Sequence, residues 1–355
     1  MKNQTYGEDL QALTCPIPFN DYKNVLLAHG GGGRLSQQLV QKMFVPQFQN
    51  EYLGQLHDGA MVDIQGVRLA FSTDSYVIHP IFFPGGTIGS LAVNGTVNDL
   101  AMCGARPMYL SAAFIVEEGL AMDELWRVVL SMQEAAKSAG VQLVTGDTKV
   151  VDRGKGDKIF INTSGIGSIG ADVNINPKNA RPGDKIILNG MIAAHGIAIM
   201  SVREGLEFAT RVESDCAPLN DLVKTMLDTN KAIHVLRDPT RGGIASALNE
   251  IAESAKVGML IHENKIPIAD EVRGACEILG FDPLYVANEG KLLAFVDPSD
   301  AEKVLSSMRS HPLGHDAVII GEVTAEHSGT VLMKTRIGGT RVVDMLSGEQ
   351  LPRIC

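Results

Sequence analysis

The sequence is poor in the features that mark secreted, metal-stapled or membrane-spanning chains. It has only 5 cysteines in 355 residues, an odd number, and no two of them form a C-x-x-C pair. We therefore expect neither a disulfide framework nor a structural zinc site. Apolar runs stop short of the ~18 residues that a membrane span requires. Residues 1–10 also lack the basic start and apolar core of a secretion signal, so the sequence predicts a cytoplasmic protein without a membrane span.

Positive charge is scarce as well. The formal net charge is −10, and no stripe of lysines and arginines runs along the chain. We therefore expect neither nucleic acid nor an anionic membrane surface as a partner. An acidic protein can still bind a polyanionic nucleotide if metal ions or helix N-termini offset the phosphate charge.

Alternating strand and helix patterns predict an α/β (α+β) protein, and the length exceeds that of one ordinary core. The best candidate linker covers residues 174–184, where two prolines and a glycine interrupt the pattern. The predicted parts are an N-terminal arm at 1–24, an N-terminal α/β domain at 25–173, a C-terminal α/β domain at 185–346 and a flexible tail at 347–355.

A run of four glycines, Gly30–Gly33, stands between a predicted strand at 25–28 and a predicted helix that Pro46 should end. It has neither the Gly-Lys-Ser/Thr of a Walker loop nor a G-x-G-x-x-G fingerprint. Gly31 and Gly32 could bring backbone N–H groups close to a phosphate. A flexible hinge would need the same residues, so both interpretations stay open.

Carboxylates close several of the predicted elements. Any one of them could be a turn or cap residue, but several beside a glycine run can hold Mg²⁺ with phosphate oxygens completing its coordination. A fifth acid opens a second helix entry with two glycines, which suits an anion. In chain order these residues are Asp58, Asp74, Asp99, Asp147 and Asp238.

Two further residues could serve chemistry beside the acids. Lys149 follows Asp147 by two positions and could neutralise phosphate or, if desolvated, shuttle a proton; it could also be a surface residue. Glu289 precedes a strand of the second domain and could be a base or a solvated turn acid. The single tryptophan, Trp126, is predicted to lie in the core, and the apolar stretch 108–116 is predicted to be an edge strand that needs covering.

The sequence ends on a thiol, Cys355, after Pro352 and Arg353. Pro352 favours an extended arm over a helix end. The terminal carboxylate should raise the thiol pKa and Arg353 should lower it, so some thiolate at neutral pH is plausible. The alternative is a frayed terminus that happens to end in cysteine.

These motifs together resemble the HypE family of NiFe-hydrogenase maturation factors, which is related to aminoimidazole ribonucleotide synthetase, selenophosphate synthetase and thiamine phosphate kinase. The resemblance spans essentially the whole chain, and its most specific part is the terminal Pro-Arg-Ile-Cys. The residues that carry it are His29–Arg34, Ser72–Asp74, Asn98–Ala101, Gly146–Lys149, Asp238–Gly243 and Pro352–Cys355.

The resemblance implies a two-domain aminoimidazole ribonucleotide synthetase-like fold, a homodimer, and ATP with Mg²⁺ as cofactors. It implies that the five aspartates hold the metal and nucleotide, with Asn98, Thr148 and the glycines nearby, and that Lys149 and Glu289 serve a dehydration. The implied reaction converts a carbamoyl group on Cys355 into a cyanide. The implied partners are a carbamoyltransferase, HypF, and a HypC–HypD complex as cyanide acceptor.

Two rival functions stay open. One is a small-molecule synthetase or kinase of the same superfamily, whose nucleophile would be expected near the N-terminus. The other is a non-catalytic maturation chaperone that uses the tail only for docking and binds ATP without turnover.

Overall fold

Two mixed β-sheets with flanking helices make up the structure, a computed structural model that describes residues 22–205, 212–229 and 232–348. The first sheet has five strands in the order β1-β2-β7-β5-β6, and only the β5–β6 pair is parallel. These strands are β1 (Ala60–Ile64), β2 (Val67–Tyr76), β5 (Ala105–Glu117), β6 (Gln142–Val151) and β7 (Ile159–Ile169), with a small hairpin of β3 (Phe82–Phe83) and β4 (Gly86–Thr87) beside them.

One face of the first sheet is covered by two helices, α3 (Ile88–Met102) and α4 (Met122–Ala139). Helix α3 is buried along almost its whole length because the sheet, α4 and the second half of the chain surround it. Its N-terminus is fixed by Thr87, whose Oγ1 accepts hydrogen bonds from the backbone N–H groups of Gly89 and Ser90. The C-terminal turn of α3 is thereby held where the two halves of the chain meet.

The second sheet has seven strands in the order β14-β13-β10-β12-β8-β11-β9, with β10–β13 as its parallel pair. Strand β11, which lies between β8 and β9, is buried at every position, as an apolar strand covered on both faces should be. The strands are β8 (Lys185–Leu188), β9 (Ile233–Arg237), β10 (Gly258–His262), β11 (Leu293–Val296), β12 (Val318–Thr324), β13 (Val331–Lys334) and β14 (Thr340–Val343).

Five helices pack around the second sheet. Leu222 and Met226 of α6 join the apolar core of the first half, so the two halves share buried contacts. The predicted linker packs onto the second sheet, where Asn176 N donates to His234 O (3.1 Å) and Gly183 N donates to Val323 O (2.8 Å). The helices are α5 (Ala194–Arg203), α6 (Asn220–Thr229), α7 (Gly243–Ala255), α8 (Asp270–Leu279) and α9 (Ala301–Arg309).

The segment after the glycine run differs from its prediction. Residues 25–28 form no strand; a 3₁₀ turn, Leu27–Gly30, stands there because this stretch has no neighbouring strand to pair with. The helix begins as α1 (Arg34–Leu39), widens into a π-turn (Val40–Phe44) and continues through Pro46 as α2 (Val45–Phe48). A π-turn ahead of a proline leaves room for the ring, so Pro46 does not end the helix.

Two further predictions about the first sheet are wrong. Strand β5, which contains residues 108–116, is paired on both sides by β6 and β7, and the edge strands of this sheet are β1 and β6. Trp126 is 60% exposed on the outer face of α4, because α4 turns a different stripe, including Val128 and Met132, toward α3. Across the described ranges, no helix is long and apolar enough to cross a membrane.

Candidate active site

Three aspartates from distant parts of the chain meet where the two halves touch. Asp58 precedes β1, Asp99 lies in the last turns of α3, and Asp238 follows β9. A carboxylate oxygen from each lies within 4.8 Å of those of the other two. Close carboxylate oxygens are the donors that a hard divalent cation prefers, so the donor set fits Mg²⁺.

Burial makes this cluster unstable as three free anions. Burial raises the pKa of Asp99 well above its usual range, and the carboxylates of Asp238 and Asp74 raise it further. Burial, reinforced by Asp58, raises the pKa of Asp238 to about 8. Ser72 steadies the group by donating its hydroxyl hydrogen bond to Asp99 Oδ2 (2.7 Å). The cluster therefore gains from any added positive charge.

Asp74 lies beside the cluster on β2. It is half-buried, and its Oδ1 accepts a hydrogen bond from Ser75 N (2.7 Å). Burial raises the pKa of Asp74, while the guanidinium of Arg241 opposes that rise. Arg241 belongs to the loop after Asp238 and donates to Gly30 O (3.0 Å), so it links the acids to the glycine run.

The glycine run packs against that same loop. Gly32 has φ +73°, and a Cβ on it would lie 2.5 Å from Arg241 Cβ and 2.6 Å from Arg241 O. A Cβ on Gly242, which has φ +80°, would lie 2.7 Å from Gly32 O. Glycine is needed at both positions because the two loops touch through their backbones. Gly31 has more space, with only Ala28 within 4 Å of its added Cβ.

A cavity of about 700 Å³ opens between the glycine run and the aspartates. Its volume lies in the range typical of small-ligand sites. Gly32 and Gly33 line one side, Asp58 and Arg237 line the other, and Leu56 and Phe71 contribute apolar surface. Arg34 N donates to Leu346 O (2.9 Å), so the chain that leads to the predicted tail passes beside this cavity.

Arg237 and Glu250 are site residues that the sequence interpretation missed. Arg237 ends β9 and forms ion pairs with Asp58 and with Glu250 of α7, the latter at 2.6 Å between Nη2 and Oε2. The sequence could have indicated Arg237 by its position directly before Asp238, because a charged residue at the buried end of a strand needs charged partners.

Glu289 is drawn into the site from the second half of the chain. It is 3% exposed, and its Oε1 has no hydrogen-bond partner within the described part of the chain. Burial raises the pKa of Glu289 well above its usual range, and Asp238 and Asp215 add to the rise. A buried carboxyl of this kind can take up a proton near neutral pH.

Asn98 precedes Asp99 on α3, and its side chain bonds to neighbouring loops. Its Nδ2 donates to Ala217 O (3.1 Å) and Glu289 O (3.2 Å), and its Oδ1 accepts from Leu219 N (2.8 Å). Both side-chain N–H groups are thus used to fasten the loops, and the contribution of Asn98 to nucleotide binding stays a prediction. Asn98 holds the Glu289 backbone against α3.

Asp147 and Lys149 do not join the cluster within one chain. They lie in the middle of β6, where Lys149 Nζ is 2.6 Å from Asp147 Oδ2, and their side chains are 69% (Lys149) and 63% (Asp147) exposed. The pKa of Asp147 is lowered by its bond to Lys149. Register aligns Asp147 with Ala113, and Ala113 with Asn162 on β7, which pairs with Ser75 on β2.

That row places Asp147 three strand spacings, about 14 Å, from β2. It also places Asp147 and Lys149 on the uncovered face of the sheet, whereas Asp74 and Asp99 lie on the side that carries α3. Within one chain Asp147 therefore lies apart from the clustered aspartates, and its role in the metal site stays a prediction. Thr148, one position on, points to the face opposite Asp147. Cys355 lies outside the described residues.

The paired α/β units and the acidic cleft between them define a class that comparisons with known proteins identify. The N-terminal domain of the AIR synthase related proteins matches residues 56–169, and the C-terminal domain of that family matches residues 181–334. The predicted fold class is confirmed.

Within this class the chain belongs to the HypE carbamoyl dehydratase family. It is 54% identical over 330 residues to the carbamoyl dehydratase HypE of Cupriavidus necator, covering 93% of this chain and 94% of that protein.

Solved structures agree. A chain from a HypE–HypF complex aligns with a TM-score of 0.83 at 49% identity, covering 87% of this chain and 99% of that one. A HypE determined in complex with ATP aligns with a TM-score of 0.79 at 51% identity, covering 94% and 100%.

Proposed function

We propose that this protein uses ATP to dehydrate a carbamoyl group carried on its own Cys355, giving an S-cyanide that supplies iron ligands for a NiFe hydrogenase. The observation that carries the proposal is the cavity between the glycine run and the aspartates. Asp58 of the carboxylate cluster lines it, and the chain that leads to Cys355 passes beside its glycine side. The buried Glu289 interacts with Asp238 of the same cluster. The relatives named as carbamoyl dehydratases support this activity.

Asp58, Asp99 and Asp238 would hold Mg²⁺, with Asp74 close by. The orphaned Asp58 Oδ2, buried without a hydrogen-bond partner in the described structure, fits a missing ligand there. When bound, Mg²⁺ would neutralise the charge that develops on the transferred phosphoryl group. The backbone at Gly31 and Gly32 would approach the phosphates, which suits the open space above Gly31.

The chemistry has two parts. The carbamoyl oxygen attacks the γ-phosphorus of ATP, a new O–P bond forms, and the bond to the ADP oxygen breaks. The carbon–oxygen bond then breaks with phosphate as leaving group, while the nitrogen loses both protons and a C≡N bond forms on sulfur. Glu289 takes one proton as base, since its buried carboxyl has a raised pKa.

Lys149 is the proposed second base. To act as a base it would need a desolvated position, which one chain does not give it. In one chain its ammonium group faces solvent beside Asp147 and is not desolvated. A homodimer that pairs the uncovered faces of two first sheets would bury the face that carries Asp147 and Lys149 and bring both residues to the cleft of the other subunit. We therefore propose a shared site in which one subunit lends Lys149 to its partner.

The proposed protein partners follow from the reaction. A carbamoyltransferase must load Cys355, and the solved HypE–HypF complex supports HypF as that donor. A metal-binding acceptor must take the cyanide, for which we propose the HypC–HypD complex.

The test combines tail mass with nucleotide binding. After incubation with HypF, carbamoyl phosphate and Mg-ATP, the peptide containing Cys355 should gain the mass of a carbamoyl group and then lose one water. Cys355→Ala should show neither change while binding ATP normally, because the substitution leaves the proposed metal and nucleotide ligands intact. Asp99→Asn should accept the carbamoyl group but bind ATP at least about tenfold more weakly, as a metal ligand loses its charge.

Each rival predicts a different result. ATP binding with a carbamoylated tail that never loses water would indicate a docking chaperone. Phosphate release that needs an added small molecule and no carbamoyl group would indicate a kinase or synthetase. A cyanide mass on another cysteine in Cys355→Ala would remove Cys355 from the reaction.

A further inference from the structure

Arg237 binds a residue that the proposed metal site needs. Its Nη1 is paired with Asp58 Oδ1, and Asp58 is one of the three clustered aspartates. Its Nη2 is 2.6 Å from Glu250 Oε2 on α7. The Arg237 Nε and Asp58 Oδ2 atoms are both buried, and neither has a hydrogen-bond partner in the described structure.

An arginine in this place has two opposing effects on a metal ion. It supplies positive charge inside an acidic cluster, which stabilises the site when no metal is bound. It also repels an incoming cation and engages a carboxylate that should coordinate it. A divalent ion arriving alone must therefore displace Arg237 from Asp58, and the freed guanidinium would then lack one of its two anionic partners.

A nucleotide changes that balance because it provides phosphate oxygens. Guanidinium groups bind phosphate well, often through two N–H donors. Arg237 has Nε unpaired already and would have Nη1 free after leaving Asp58, while Nη2 could stay on Glu250. Arg237 and Asp58 both line the cavity proposed for the nucleotide, so the exchange needs no large movement.

We infer that Arg237 is an exchangeable counterion, paired with Asp58 in the empty site and with nucleotide phosphate in the loaded one, so that free Mg²⁺ binds poorly until a nucleotide arrives with it. This inference rests on the proposed function, because it assumes that the aspartates hold metal and nucleotide. It assigns Arg237 a positioning role: the residue couples metal binding to nucleotide binding.

Mn²⁺ titration followed by electron paramagnetic resonance tests the exchange without relying on activity. In the unmodified protein, Mn²⁺ alone should bind weakly and a non-hydrolysable ATP analogue should tighten it strongly. Arg237→Gln should bind Mn²⁺ alone at least about tenfold more tightly, because the competing cation is gone. The factor by which the analogue increases Mn²⁺ affinity should fall by a similar amount, since Mn²⁺ binding and nucleotide binding are linked.

Two further variants make the result specific. Arg68→Gln is the matched control, because Arg68 is also held by the fold, donating to Val173 O (2.7 Å), but lies away from the cluster. It should leave Mn²⁺ affinity unchanged. Glu250→Gln removes one of the two ion-pair partners of Arg237 and leaves Asp58 as the other. Because Arg237 should then hold Asp58 more firmly, this variant should bind Mn²⁺ alone more weakly. It also provides a test if Arg237→Gln does not fold.

The outcomes separate the two claims. If the unmodified protein binds no Mn²⁺ even with the analogue, the proposed function itself is wrong. If it does, but Arg237→Gln binds Mn²⁺ alone equally or more weakly, Arg237 is only a structural tie between β9, α7 and Asp58. A weaker ion affinity in Glu250→Gln together with a tighter one in Arg237→Gln would establish the exchange.

Discussion

The acids of the site fall into two environments that a single sequence does not distinguish. Asp238 and Glu289 are buried and Asp99 is half-buried, and burial is the first cause of the raised pKa of each. Asp147 is exposed, and its pKa is lowered by its bond to Lys149. The buried acids are suited to holding a metal ion or accepting a proton, and Asp147 is suited to a surface that meets another molecule.

Glu289→Gln tests the base at the residue scale. The amide keeps the shape of the side chain but cannot take up a proton, so nucleotide affinity should stay within about threefold while dehydration of a carbamoylated tail stalls. Calorimetry and tail mass measured on the same sample decide this. Glu277→Gln, an exposed change on α8, should behave like the unmodified protein. Normal dehydration of the carbamoylated tail in Glu289→Gln would exclude Glu289 as the base.

The buried aspartates also predict how stability depends on pH. An acid whose pKa is higher in the folded protein contributes stability below its unfolded pKa and loses that contribution as pH rises through the folded pKa. For Asp238 this window runs from its ordinary value of 3.8 to about 8. The metal-free protein should therefore become less stable from about pH 4 to about pH 8.

Asp238→Asn should flatten that decline and stabilise the metal-free protein at pH 8 by a few kcal/mol, as an order of magnitude. Thermal unfolding in chelator at several pH values measures both effects. Added Mg²⁺ should stabilise the unmodified protein at pH 8 much more than the variant. A variant that is less stable than the unmodified protein at pH 8 would contradict this account.

At the scale of elements, the clear period-two and helical patterns predicted the strands and helices that carry them. The alternation in β2 and the apolar pattern of α3 gave both elements within a few residues. These elements also position Asp74 and Asp99, so that part of the site could be predicted. Asp58 and Asp238 were selected from the residues beside strands and glycines, and the fold brings them together.

The prediction of β6 stopped too early for a physical reason. The apolar run at residues 141–144 predicts a strand that ends at Val144, whereas β6 continues to Val151. Residues 145–149 resemble a turn because an edge strand with an uncovered face has polar residues there, and Gly146 lies against Ala112 O just after the register shift in β5. The prediction that Trp126 is buried was wrong for a related reason. Helix α4 has two apolar stripes, and only packing decides which one is buried.

Gly32→Ala tests the contact between the two glycine-containing loops. The new Cβ would meet the Arg241 backbone at a φ that alanine rarely adopts, so we expect a loss of about 1–3 kcal/mol in stability and weaker nucleotide binding. Gly30→Ala is the matched control in the same run, because nothing lies within 4 Å of its Cβ. Equal effects of the two changes on melting temperature and ATP affinity would argue for a simple hinge.

At the scale of the whole molecule, the first sheet has one face without a covering layer. Phe71, Tyr109, Ile115 and Ile166 on that face are between 38% and 47% exposed. Apolar surface of this kind usually marks an interaction site. This uncovered face gives a physical reason for the dimer that the family resemblance implies. The stretch 108–116, predicted to be an edge strand, gives no such reason because it is paired on both sides.

Light scattering at micromolar concentration should therefore give a mass near twice the 38.0 kDa of one chain. Ile115→Glu, at the middle of the uncovered face, should shift the mass toward the monomer and stop dehydration, because Lys149 would lose its proposed partner site. Ile278→Glu, on α8 and 71% exposed, is the control that should stay dimeric. A monomeric unmodified protein that still dehydrates its tail would rule out the shared site.

The hydrogen bond from Arg34 N to Leu346 O has a kinetic consequence. It ties the chain to the rim of the cavity, and Cys355 is the ninth residue after Leu346. Such a tether spans at most about 30 Å, which corresponds to an effective concentration in the millimolar range. Loss of water from the carbamoylated tail should then be a first-order process whose rate does not change on dilution, and free carbamoylated peptide should compete poorly with the attached one.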